Sequence, residues 1–134
     1  MLIELPVSSK SRVEFIDVTH QVQKALEKHK FNQGICHIYV PHTTAGITIN
    51  ENADPSVCQD IYSQLNTLVP FDGRYRHTEG NAAAHIKASI IGSSATVIIE
   101  GGKILLGTWQ GIFFCEFDGP RHRRLYLKIV PDEK

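Results

Sequence analysis

Residues 96–106 read Thr96-Val97-Ile98-Ile99-Glu100-Gly101-Gly102-Lys103-Ile104-Leu105-Leu106, two aliphatic runs around a glycine pair. Consecutive glycines reach the positive φ that a tight hairpin turn requires, so residues 96–100 are expected to return as 104–106. Downstream, 111–117 and 125–130 are also strand-like, which makes the last third of the chain β. Upstream, 3–7, 13–16, 35–40 and 46–49 have strand composition, with Ser8-Ser9-Lys10-Ser11 as a turn between the first two.

Helical spacing interrupts these strands. Asp17 can cap a helix whose Val18, Val22, Ala25 and Leu26 form one apolar stripe, and Gly34 closes that unit. Asp54-Pro55 opens a second helix carrying Val57, Ile61, Leu65 and Leu68, which Pro70 stops. A third helix is expected over 81–91, ending at Gly92. Between them, residues 71–80 form a polar loop with Asp72, Arg74, Tyr75, Arg76 and His77. Strands with two or three helices interspersed define an α+β chain, read as one domain over residues 1–134.

The totals narrow the function. Fourteen basic and fourteen acidic residues give a formal charge of zero, which argues against nucleic acid as the main partner. No stretch has the length and hydropathy to span a bilayer, and residues 1–9 lack the apolar core of a signal peptide. Cys36, Cys58 and Cys115 are widely spaced with no CxxC, so reduced thiols and a cytoplasmic location are expected. A net charge near zero offers little repulsion against self-association.

Three histidines stand outside any packing requirement: His42 in Pro41-His42-Thr43-Thr44, and His77 and His85 around the start of the third helix. Imidazole binds transition metals and moves protons near neutral pH. Asn81 and His85, four apart, share one helix face, and a helix N-terminus attracts anions. Spacing alone leaves the alternative open that Asn81 is a cap and His85 a satisfied, half-buried side chain. Thr43 and Thr44 have a similar second reading as turn-holding hydroxyls. In Asn50-Glu51-Asn52-Ala53-Asp54, caps and turns account for every polar residue except Glu51, the candidate acid there.

A third cluster is Gly107-Thr108-Trp109-Gln110-Gly111 followed by Glu116-Phe117-Asp118-Gly119-Pro120-Arg121. Strand alternation would place Glu116 and Asp118 on one face, where paired carboxylates need a cation, a shared proton or Arg121. The alternative is that Asp118-Gly119-Pro120 is a turn. Trp109 is expected to pack rather than carry a ligand, and Gln110 is ambiguous.

Taken together, His42 to Glu51, Tyr75 to Lys87, and Leu106 to Gln110 with Asp118 to Arg121 resemble the YjbQ family (UPF0047), a group assigned as secondary thiamine-phosphate synthases. The resemblance spans nearly the whole chain. It implies a β-sandwich of about seven strands in two sheets with two to three helices, assembled as a homotrimer. It also implies a site near a subunit boundary where His42, His77 and His85 hold zinc or another transition metal. The associated reaction joins a hydroxymethylpyrimidine diphosphate to a thiazole phosphate and releases pyrophosphate. On this reading Glu51, Glu116 and Asp118 do the acid–base work, and Thr43, Thr44, Asn81, Lys87, Gln110 and Arg121 meet the small phosphorylated substrate. Magnesium, on Asp54, Glu116 and Asp118, would suit the diphosphate better than imidazoles do. The competing functions are a transition-metal-dependent hydrolase of a small metabolite and a non-catalytic trimeric binding protein.

Overall fold

The computed structural model describes residues 1–132. Its elements run β1 (Leu2–Ser8), β2 (Glu14–Asp17), α1 (Thr19–Lys28), β3 (Gly34–Tyr39), β4 (Ala45–Glu51), α2 (Pro55–Leu68), α3 (Ala82–Ile91), β5 (Ser94–Glu100), β6 (Lys103–Leu105), β7 (Gln110–Glu116) and β8 (His122–Pro131). The strands form two antiparallel sheets, β1-β8-β3-β5-β6 and β2-β7-β4. The fold is α+β with two sheets and three helices as expected, and among the described residues it has eight strands, in keeping with the about seven that the resemblance implied.

The expected hairpin is present: Glu100 faces Lys103 across Gly101 and Gly102, which adopt φ of 60° and 76°. Residues 9–13 form no such hairpin, because β1 pairs with β8 and β2 with β7. That turn instead carries the chain from one sheet to the other. Ser9 anchors the crossing, donating to Glu116 Oε1 at 2.7 Å and accepting from the Arg121 amide at 2.9 Å.

The two sheets bury Val7, Cys36, Ile38, Leu125 and Leu127 against Ile47, Ile112 and Phe114, with Val22 and Leu26 of α1 closing one side. Strand β7 is buried on both faces. Its alternate residues Phe113 and Cys115, with Phe117 just beyond, pack on Leu65 of α2 and on Ala84 and Ala88 of α3. Side chains on the two faces of β7 thus join three layers, large sheet, small sheet and helices. Burial pushes the Cys36 thiol up to about 12, consistent with an inert core residue.

Two helix starts differ in detail. Asp54 caps α2, accepting from Ser56 N at 3.0 Å, with Pro55 in the first turn. At α1 the cap position falls on Val18, yet Asp17 still accepts the Thr19 amide at 2.9 Å. The α1 end is made by Lys30 at φ 60°, not by Gly34. Gly34 opens β3, where a Cβ would stand 2.3 Å from Val130 O.

Candidate functional site

The corner between β3 and β4 is held by the start of β8. His42 Nε2 sits against the Arg124 backbone, 3.0 Å from its amide nitrogen and 3.1 Å from its carbonyl oxygen, and its ring lies edge-on to Phe114 at 6.4 Å. Burial, then the neighbouring Arg123 charge, hold the His42 pKa below its usual value. Thr44 is buried, and its hydroxyl accepts from Arg123 Nη2 at 2.8 Å.

Glu116 is fully buried and saturated. Its carboxylate takes Arg123 in two-pronged fashion, with Nε to Oε1 at 2.8 Å, plus Ser9 and the Asp118 amide. Burial pushes this carboxyl up, but the hydrogen bonds from Arg123, Ser9 and Asp118 outweigh it and hold the group below its usual range. The expected face-sharing carboxylate pair does not form, because β7 ends at Glu116 and Asp118 lies in the following bend. Asp118 instead accepts Asn81 Nδ2 at 2.9 Å and Arg121 Nη2 at 3.0 Å.

That contact turns Asn81 away from capping. Asn81 occupies the cap position of α3 without a side-chain cap bond, and its buried Oδ1 has no partner among the described residues. The first turn of α3 therefore keeps amides free of any side-chain acceptor from its cap, with the positive end of the helix dipole. Close packing sets the helix position: Ile47 N donates to Gly92 O at 3.1 Å, and a Cβ on Gly46 would stand 2.6 Å from that oxygen.

His85, on α3, borders two open hollows. One, of about 500 Å³, is shared with His42, Thr43, Ala45 and Ser89. The other, of about 470 Å³, is lined by Arg74, Tyr75, Arg76, His77 and Ala82. The His77 and His85 rings meet edge to face with centroids 5.1 Å apart, and His77 Nε2 lies 3.3 Å from Glu79. All three histidines thus border one continuous stretch of surface along α3.

Other expected members lie elsewhere. Ala45 pairs with Glu116 but Glu51 pairs with Gln110, so Glu51 and Gln110 sit at the opposite end of the small sheet, about 20 Å away along a seven-residue strand. The Gln110 side chain accepts the Gly107 amide at 2.8 Å. Trp109 is not packed but 63% exposed. Lys87 faces a different hollow, one that His85 does not border. Conversely, Arg74, Arg76 and Arg123 enter the picture without having been singled out. For the first two the signal was present, an Arg-x-Arg-His run in the loop that leads into a helix start.

The donors do not match a three-imidazole metal centre within one chain. Among the described residues no group of three His, Cys, Asp or Glu side chains could hold one ion. His42 Nε2 is engaged by the Arg124 backbone, and of the three rings only His77 and His85 are adjacent. The magnesium set is not brought together either: Glu116 has no free lone pair direction, and Asp54 caps α2 beyond Glu51, at the far end of the small sheet from Glu116.

Comparison with known proteins agrees with this architecture. The family model described as UPF0047 protein YjbQ-like matches residues 3–132. A UPF0047 protein of Methanocaldococcus jannaschii is 54% identical over 99% of this chain and 96% of its own length. The YugU protein of Bacillus subtilis is 50% identical, covering 97% and 99%. Among solved structures, an uncharacterized conserved protein of Clostridium acetobutylicum superposes with a TM-score of 0.93 at 52% identity, over 96% of this chain and 99% of that one. A protein of unknown function from Sulfolobus solfataricus reaches the same TM-score at 32% identity, covering 98% and 97%.

Proposed function

This chain belongs to the YjbQ-like UPF0047 family, and on that premise we propose that it is a transferase of the thiamine-phosphate synthase type. The observation that carries the reading is the hollow where Arg74, Arg76, His77 and His85 surround the start of α3. Two guanidiniums and a helix N-terminus whose cap side chain is turned away form a receptor for a diphosphate.

In the proposed reaction the thiazole nitrogen attacks the pyrimidine methylene carbon. The carbon–oxygen bond to the diphosphate breaks, and its electron pair leaves with pyrophosphate. Arg74, Arg76 and the first α3 amides stabilise the charge that grows on the departing group. His77 and His85 are placed to hydrogen-bond or protonate it. Tyr75 supplies an aromatic wall beside a carbon that gains positive character. Thr43 and His42, across His85, border the adjoining space for the second substrate.

Purified protein should form thiamine phosphate from the two precursors, and His85→Ala should abolish it. No product from folded protein sinks the reading. The hydrolase alternative requires three ligands on one ion, whereas one protomer brings together two imidazoles. We further propose a cytoplasmic homotrimer. It is supported by the zero net charge and by Leu105, Ile98, Ile35 and Val130, which pair in one row across the uncovered face of the large sheet. Sedimentation equilibrium measures it directly.

A further inference from the structure

On the side of α3 away from the histidines lies a hollow of about 410 Å³, bordered by α2, α3 and the loop at 70–72. Positions 85 and 87 of a helix point about 200° apart, so Lys87 and His85 serve different spaces. Lys87 is 3% exposed, and its ammonium donates to Asn66 Oδ1. Among the described residues no carboxylate lies within 4.0 Å of it.

That is an incomplete environment. An ammonium carries three donors, and one neutral amide oxygen satisfies one of them. A buried charge without a counterion is costly, and burial accordingly pulls the Lys87 pKa below its usual value. The same hollow is bordered by Arg12, whose guanidinium lies 4.0 Å over the Phe71 ring. Asp72 is the sole carboxylate among the lining residues, against two cations. Val13, Tyr62, Pro70 and Phe117 supply an apolar wall.

We propose that this hollow is a second binding site, separate from the histidine hollows, for a small molecule with an oxyanion head and a compact apolar body. The head, phosphoryl or carboxylate, completes the Lys87 ammonium and meets Arg12. The body lies between Tyr62, Phe71 and Phe117. The inference is independent of the transferase reading.

The test is a titration of ¹⁵N-labelled full-length protein with phenyl phosphate and with benzoate, using phenol as the neutral control. Saturable amide shifts are expected at Ala83, Ala84, Lys87 and Phe117 with an anion and not with phenol. The tighter of the two anions identifies the head group. Arg12→Ala, at an exposed position, should weaken binding severalfold, and Lys87→Met by about tenfold or more. Arg74→Ala should leave the titration unchanged. The site is overturned if neither anion gives saturable shifts, or if the shifts survive both Arg12→Ala and Lys87→Met. Loss of the shifts in Arg74→Ala alone would place the ligand in the histidine hollow and equally overturn it.

Discussion

His77, in the loop, and His85, one turn into α3, bring their imidazole rings edge to face at 5.1 Å. The contact joins a polar loop to the helix whose first turn faces the proposed diphosphate. Both rings border the same hollow as Arg74 and Arg76, so loop and helix wall one hollow.

Removing either arginine should therefore affect chemistry more than folding. Arg74→Ala or Arg76→Ala is expected to lower kcat/KM for thiamine phosphate formation by about a hundredfold. The urea midpoint should stay unchanged, because both side chains are exposed. Steady-state kinetics beside equilibrium unfolding checks the pair of expectations.

The reverse should hold for Glu116 and Arg123. Their buried contact ties β7 to β8, and Ser9 and Thr44 bond to it from the two other connections. Arg123→Met leaves Glu116 charged and buried, and should cost about 3–5 kcal/mol in urea unfolding. Glu116→Leu combined with Arg123→Met should recover much of that loss.

Acidification should destabilise the fold in two stages. The His42 ring titrates near 6.5 when unfolded and lower when folded, so the unfolded chain takes up its proton first. Stability is then complete above that pH and declines as pH falls toward the folded value. Glu116 behaves alike below its ordinary 4.5. Urea midpoints across pH should show both declines, and His42→Gln should remove the upper one alone.

Gly46 tests the seating of α3. A methyl at this position would press on Gly92 O from 2.6 Å. Gly46→Ala should cost about 1–3 kcal/mol by forcing the α3 end from β4. It should also lower activity beyond the loss of folded protein, since the His42–His85 hollow opens at that seam. Unfolding curves and rates corrected for the folded fraction distinguish the two effects.

Much of the architecture was legible without coordinates. The Gly101-Gly102 turn, the Asp54-Pro55 helix start and the apolar stripe of α1 all depend on contacts within a few residues, and such contacts are written in spacing. The crossing of residues 9–13 between sheets was not legible, since a turn signal says nothing about which strand each arm will pair with.

The site divides along the same line. Its amino acids, one imidazole before a helix, one on its first turn and arginines in the adjoining loop, are present in the order of residues. Pairing register decided that Glu51 and Gln110 stand at the far end of the small sheet, and sheet packing decided that Arg123 rather than Arg121 neutralises Glu116. A strand or helix carries its own periodicity, but the distance between two side chains on different elements exists only once hydrogen-bond register and core packing have placed those elements against each other.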